Sequence, residues 1–199
     1  MEPIILASHS PRRQEYLRLL GLPFTCMPSS ADESYCPGMA PKAVAEELAL
    51  RKVRKVLEEL KNDPSSLSEF SWVCGADTII ALDGRIYGKP ANREEAGKML
   101  LAFQGRSHEV ITAVALYNGR LKKIDCRSVL SKVTFAPMTP GEIEWYLDTN
   151  EWEGAAGAYK IQGKISCFIT SINGSYSSIV GLPLHEFYVM LRDNGYLTT

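Results

Sequence analysis

The sequence has no long apolar run, no excess of either charge and no paired cysteine spacing, and each absence removes a class of function. Nothing approaches the ~20 apolar residues that cross a bilayer. Met1-Glu2-Pro3 leads into an apolar stretch of only Ile4-Ile5-Leu6-Ala7 with no basic flank, which is not the pattern of a secretory signal. Basic and acidic residues number 22 and 23, for a net charge of −1. General nucleic-acid binders carry a basic excess, so no stable nucleic-acid complex is expected, and any anion site must use a few local cations. The five cysteines, Cys26, Cys36, Cys74, Cys126 and Cys167, are odd in number and show no CxxC spacing. They read as reduced, mostly buried thiols in a cytoplasmic protein, without a disulfide frame or zinc site. His9, His108 and His185 are isolated, which argues against a zinc hydrolase. A GxxxxGK[ST] phosphate loop is missing. Leu82-Asp83-Gly84-Arg85 falls short of a phosphatase DxDG loop, because Ala81 stands where the nucleophilic Asp would be.

What is present is the balance of a globular chain: 199 residues, 45% hydrophobic and 23% charged, enough for one good core or two small lobes sharing a cleft. Ile4 to Ala7 reads as a buried strand. A helix follows over Arg12 to Leu20, with Tyr16, Leu17, Leu19 and Leu20 expected on one side and Gly21 ending it. Beyond a Ser/Pro/Gly-rich loop, Val44, Leu48, Val53, Val56, Leu57 and Leu60 give helical spacing from about Lys42 to Leu60, stopped by Asp63-Pro64-Ser65-Ser66. Trp72 to Leu82 reads as a strand interrupted at Gly75-Ala76-Asp77, turning at Asp83-Gly84 into Arg85-Ile86-Tyr87. Asn92 caps another helix, with Ala96, Met99, Leu100 and Phe103 on its buried face and Gly105 after it. Glu109–Tyr117 and Lys122–Phe135 form a hairpin across Asn118-Gly119. Pro140 opens a short helix through Leu147, a strand pair is expected around Ile165 to Ile172, and a closing helix runs from about Pro183 to Asn194. Helices alternate with strands, yet one long hairpin is antiparallel, so a single α/β domain with a mixed sheet is expected over residues 1–199.

The chemistry concentrates in a few places. Ser8-His9-Ser10-Pro11-Arg12-Arg13 sets Ser10 at a helix N-cap and Pro11 at the first helical position, then two arginines in the first turn. Cations there oppose the helix dipole. A bound anion removes the conflict, since backbone N–H groups, hydroxyls and guanidinium forks would converge on it; the alternative is a capped helix with solvated arginines. Lys52 lies i, i+4 from Leu48 and Val56, on or beside an apolar stripe. It either snorkels to solvent or points into a phosphate cleft. Asp77, within Cys74-Gly75-Ala76-Asp77-Thr78-Ile79-Ile80, sits in a run too apolar for simple solvation. It is a structural pair or cap, or else a ligand-facing acid that holds a cation or takes a proton from water. Glu33 is a second candidate carboxylate, and Gly88-Lys89-Pro90 offers another cation. In Gly157-Ala158-Tyr159-Lys160-Ile161-Gln162-Gly163, Gln162 could read a base edge and Tyr159 stack on a base; equally, Tyr159 is core and Gln162 a loop brace.

Taken in order, Leu6–Arg13 with Glu15 and Leu17, Gly75–Thr78, Gly88–Pro90, Gly105–Val110, Gly157–Gly163, Ile172–Tyr176 and Val180–Leu184 resemble the Maf family of septum-formation inhibitors and nucleotide pyrophosphatases, over essentially the whole chain. The resemblance implies a two-lobed mixed α/β fold with a deep cleft, shared in outline with inosine-triphosphate pyrophosphatases. It also implies attack of water on the α-phosphate of a nucleoside triphosphate, dependent on Mg²⁺ or Mn²⁺. Asp77 would accept the proton or organise the metal, with Glu33 near that metal. Ser8, Ser10, Arg12, Arg13, Lys52 and Lys89 would line the phosphate site. Family members acting on dTTP and UTP have two arginines after Ser-Pro and a later Gln, whereas those preferring 7-methyl-GTP have Trp and Glu there; Arg12, Thr78 and Gln162 align this chain with the first group. Lys160, Ser166-Cys167 and Ser177-Ser178 depart from the family pattern. A nucleotide-sensing regulator of division with little turnover, and a phosphotransferase, are the other readings; a homodimer is one of the oligomeric states left open.

Overall fold

The computed structural model describes residues 1–62 and 71–197, so the expected helix stop at Asp63-Pro64-Ser65-Ser66 lies outside the described residues. The strands are β1 (Ile4–Leu6), β2 (Phe24–Cys26), β3 (Trp72–Leu82), β4 (Arg85–Tyr87), β5 (Ser107–Asn118), β6 (Lys123–Phe135) and β7 (Ile169–Asn173). They form one mixed sheet in the order β2-β1-β3-β5-β6-β7, with β4 also paired to β3. β1 is parallel to both neighbours, and all other pairings are antiparallel. Around the sheet pack α1 (Pro11–Leu19), α2 (Pro41–Lys61), α3 (Arg93–Phe103), α4 (Pro140–Leu147), α5 (Tyr176–Val180) and α6 (Leu184–Asp193).

The two-residue period of β3 sorts its side chains between opposite faces. Val73, Ile79 and Ala81 join a core with Val44, Leu48, Val53 and Val56 of α2. Trp72, Cys74 and Ala76 face the other way, into a core closed by Leu17, Phe187, Met190 and Leu191. Ile80 and Leu82 lie on that same side further along and belong to a third core with Leu100, Phe103, Tyr146 and Ile179. One strand therefore serves three apolar clusters.

The backbone edges of β3 position the site. One edge pairs with β5 from Trp72 to Ala81. The other is divided: β1 pairs with Trp72, Val73 and Cys74, and β4 pairs with Ile80, Ala81 and Leu82. Ala7 N–H still bonds to the Cys74 carbonyl at 2.8 Å before the chain turns into α1. Among the described residues, no strand covers residues 75–79 on this edge, which leaves a slot in the sheet.

Several expectations are corrected by packing. β3 is unbroken through Gly75-Ala76-Asp77. Gly75 is where α2 crosses the strand: a Cβ there would lie 2.9 Å from the Ala49 carbonyl oxygen and 2.9 Å from Val53 Cγ2. On α1 the buried residues are Arg13 and Leu17, while Leu19 is 71% exposed; a step of about 100° per residue turns 19 away from 17. The strand pair near Ile165–Ile172 is a tight helical turn at Lys164–Phe168 followed by β7 alone. Only Ile165 of that turn is buried, so the segment anchors by one side chain and not by alternation. β2 and α5, at three and five residues, are too short for periodicity to reveal. Asp83 and Gly84 adopt φ of 52° and 75°, the two-residue turn expected there. At Asn118-Gly119 the last strand pair is Asn118–Lys123, so the loop has the expected four residues, shifted by one position. Asn118 braces it, its Oδ1 accepting from Arg120 N at 3.0 Å and Leu121 N at 3.3 Å while Nδ2 donates to the Asn194 carbonyl at 3.0 Å. The thiols are less buried than expected: Cys26, Cys36 and Cys167 are exposed, Cys126 is half-buried and Cys74 is buried.

His108 is part of the third core. Its ring stacks on Phe103 with centroids 4.4 Å apart, and its Nε2 is 2.7 Å from the Tyr159 hydroxyl. Burial pushes the imidazole down to about 4. The unfolded chain binds a proton near pH 6.5, which the folded protein refuses until about 4. Stability is thus untouched by this group above ~6.5 and falls as pH drops through that window. From pH 7 to pH 5 the loss is about 2 kcal/mol, and urea titrations of His108→Phe should show a pH dependence shallower by that amount. An identical slope would assign the acid sensitivity elsewhere. At the α2 crossing, Gly75→Ala forces strand and helix apart and should lower stability by about 1–3 kcal/mol, read as a shifted urea midpoint. A midpoint equal to wild type would show that the crossing has slack.

Candidate active site

The first side of the slot is the turn from β1 into α1. Ser10 occupies the N-cap with Pro11 behind it, but its hydroxyl makes no capping bond. Ser8 takes the local role instead: its Oγ accepts from Ser10 N–H at 3.1 Å and from an Arg13 terminal N–H at 3.2 Å. The two arginines then differ. Arg13 projects inward beside Leu17 and is 9% exposed. Its Nε–H donates to the Gly181 carbonyl at 2.8 Å, and its second terminal nitrogen donates to Thr78 Oγ1 at 3.4 Å. Three of its five N–H groups are committed to protein, leaving two for a ligand. Arg12 is half-buried, and its Nε is a buried donor without a partner among the described residues. Burial lowers both guanidinium pKa values; at Arg13 the Asp77 charge works against that loss. Arginine nevertheless remains charged.

The second side is α2. Lys52 is 9% exposed, so it does not snorkel to solvent. Its ammonium lies 2.5 Å from Asp77 Oδ1 and 2.9 Å from Glu33 Oε1. Asp77 is itself 9% exposed, and Lys52 is its hydrogen-bond partner among the described residues. Lys89, exposed after β4, approaches the other Glu33 oxygen at 3.7 Å. Burial disfavours the Glu33 carboxylate, but Lys52 and then Lys89 outweigh that effect and hold its pKa below the ordinary value. Glu33 and Lys89 thus extend the buried pair toward solvent.

The third side is the loop that contains Gln162. Gly157 N–H bonds to the Gly88 carbonyl at 2.9 Å, and Gly157 has φ 64°, where a Cβ would come within 2.8 Å of Ile80 Cδ1. A side chain there would be strained by the backbone conformation and would push Ile80 aside. The far end is fixed by Glu151, whose Oε2 accepts from Lys164 N–H at 2.7 Å. Tyr159 is 5% exposed and bonded to His108, which is the core alternative of the two open for it. Gln162 remains exposed at the rim.

Ser8, Ser10, Arg12, Arg13, Glu33, Lys52, Asp77, Thr78, Lys89 and Gln162 all line one cleft of about 950 Å³, at the upper end of small-ligand sites. Arg12, Arg13, Lys52, Lys89 and Lys160 face Glu33, Asp77 and Glu153 across it, an excess of positive charge in a protein of net −1. Sequence reasoning missed Thr112, Ser178 and Gly181, which support Arg13 and Thr78 from beneath. Thr112 Oγ1 is 2.9 Å from Thr78 Oγ1 and donates to the Ser178 carbonyl at 2.7 Å. Only the β3–β5 register, in which Thr78 faces Thr112, would have revealed it.

Among the described residues, no group of three or more His, Cys, Asp or Glu side chains could hold a metal alone. Glu33 and Asp77 nonetheless present hard carboxylate oxygens around one ammonium. That set suits Mg²⁺ in its usual protein mode, where one or two carboxylates act and phosphate oxygens and waters complete the shell.

Comparison with known proteins agrees with this geometry. The family model described as "Maf-like protein" matches residues 3–194. A dTTP/UTP pyrophosphatase of Symbiobacterium thermophilum is 44% identical over 196 residues, covering 98% of this chain and 96% of the relative. One from Pelotomaculum thermopropionicum is 41% identical, covering 98% of each. Among solved structures, a HAM1 protein from Coxiella burnetii superposes with a TM-score of 0.51 at 16% identity, over 97% of this chain and 100% of that one, a likeness of fold alone. None of the described helices is long and apolar enough to cross a membrane. With motif, cleft and near full-length relatives in agreement, the chain belongs to the Maf family.

Proposed function

We propose that the protein is a nucleoside triphosphate pyrophosphatase acting on dTTP and UTP, releasing the monophosphate and pyrophosphate with the help of Mg²⁺ or Mn²⁺. One observation carries the reading. Arg12 and Arg13 from α1, Lys52 from α2 and Lys89 from the segment after β4 converge on one cleft beside Asp77. The names of the relatives supply the pyrimidine substrates.

In this reading the triphosphate lies between the α1 turn and Lys52. Arg13 offers its two uncommitted N–H groups, and Ser8, already an acceptor twice, has its hydroxyl hydrogen left for a phosphate oxygen. When bound, a divalent cation held by Asp77 and Glu33 would neutralise phosphate charge. Lys52 fixes Asp77 through Oδ1, leaving Oδ2 to take a proton from water as it attacks the α-phosphorus. The bond from that phosphorus to its bridging oxygen breaks, and the arginines and lysines stabilise charge on the departing pyrophosphate. Gln162 at the rim reads the base edge by its amide.

Replacing the base while keeping its shape should stop the chemistry. Asp77→Asn should lower kcat for UTP by about 10²–10⁴-fold in a pyrophosphate-release assay, run with Mg²⁺ or Mn²⁺ and with chelator as control. Equal rates in variant and wild type would remove Asp77 from the reaction. Gln162→Glu should change the dTTP-to-GTP ratio of kcat/KM by about tenfold, the value of one misplaced hydrogen bond. A constant ratio would deny Gln162 any part in base choice.

A further inference from the structure

The hydroxyls beneath Arg13 have only one consistent direction. The Ser178 carbonyl can only accept, so the single Thr112 hydroxyl hydrogen points to it, across 2.7 Å. Thr112 Oγ1 must then accept from Thr78, 2.9 Å away. That spends the one hydrogen of Thr78, whose oxygen is left to receive the Arg13 N–H at 3.4 Å. Polarity runs unbroken from the guanidinium through two threonines to a backbone carbonyl. Thr112 is 0% exposed, so water cannot substitute for it.

The far end of this relay and the direct anchor of Arg13 share one short segment. Ser178 lies in α5 and Gly181 immediately follows that helix. Gly181 has φ 129°, a conformation that favours glycine, and its carbonyl accepts the Arg13 Nε–H. The guanidinium is thus held in plane by Gly181 at one edge and, through the relay, by Ser178 at another. Ser8 and Thr78 differ sharply in consequence. Ser8 keeps a hydrogen for an anion, whereas Thr78 can only accept and repels a phosphate oxygen.

We propose that Thr112 is a positioning residue that directs the Thr78 hydroxyl toward itself, so that Thr78 braces Arg13 and is not a phosphate ligand. The functional consequence rests on the pyrophosphatase reading, while the brace itself does not. Thr112→Val keeps the shape but removes both the acceptor for Thr78 and the donor to Ser178. The Thr78 hydrogen then swings toward Arg13 or the cleft.

The test combines ¹⁵N relaxation of the Arg13 Nε–H with kcat/KM for UTP, in Thr112→Val, Thr78→Val, the double variant and Thr112→Ser. The relay requires that each valine variant loosens the Arg13 side chain and lowers kcat/KM about tenfold. The double variant should be no worse than either single, and Thr112→Ser should match wild type within about twofold. A rigid Arg13 with unchanged turnover in Thr112→Val overturns the proposal. So does a Thr112→Val loss that persists at full size in the Thr78→Val background, because Thr112 would then act by another route. Should Thr112→Val not fold, Thr112→Ala takes its place, since it removes the same hydroxyl with a smaller side chain and the same comparison with Thr78→Val applies. Absence of wild-type turnover would sink the pyrophosphatase reading, and the Arg13 relaxation would still settle the brace.

Discussion

A charge removed from water must find a partner, and in the Maf-family cleft Asp77 and Lys52 find each other across 2.5 Å with each residue 9% exposed. Removing one member of such a pair strands the other, typically at about 3–5 kcal/mol. The pair therefore couples two elements distant in sequence, β3 and α2, whose separation is set by the missing side chain of Gly75. A larger residue there would hold the helix further off, and the ammonium would lose its reach. Glu33 and Lys89 continue the alternation of sign outward.

The cleft is a product of unequal strand lengths. β3 runs for 11 residues, while β1 and β4 contribute three residues each to one of its edges. Between them the slot admits side chains from α1, α2 and the loop carrying Gln162. β5 supports β3 along the opposite edge, so the opening does not cost the sheet its continuity. The three cores pack on either side of this strand and make its middle rigid. Chemistry placed there needs little reorganisation on binding.

Much of this was legible because local rules were visibly broken. Two cations at a helix start, a lysine on an apolar stripe and an acid within a buried-strand run each conflict with stability, and all prove to line the cleft. The unequal fates of the arginines were not readable: the expected apolar side of the helix took in Tyr16, Leu19 and Leu20 along with Leu17, and only packing singles out Leu17, and with it Arg13 one turn earlier, as the buried positions of α1. Other features were hidden for a physical reason. Thr112 looks like any strand threonine until register sets it opposite Thr78. Gly181 acts through its carbonyl, which sequence does not display. The slot depends on two short strands sharing an edge, a property of pairing and not of periodicity. Asn118-Gly119 located the turn, and its length was legible within a one-residue shift, since Asn118 joins the ladder opposite Lys123 while its side chain bonds to the loop.

Asp77 and Thr78 are adjacent, yet one meets Lys52 and the other meets Arg13 on the opposite side of the sheet. A pleated strand enforces that division only while its count of residues is kept. One insertion between Val73 and Asp77 would turn the acid toward the guanidinium and the hydroxyl toward the ammonium, and would invert every apolar contact beyond it. Evolution can exchange side chains along this segment far more readily than it can lengthen it by one.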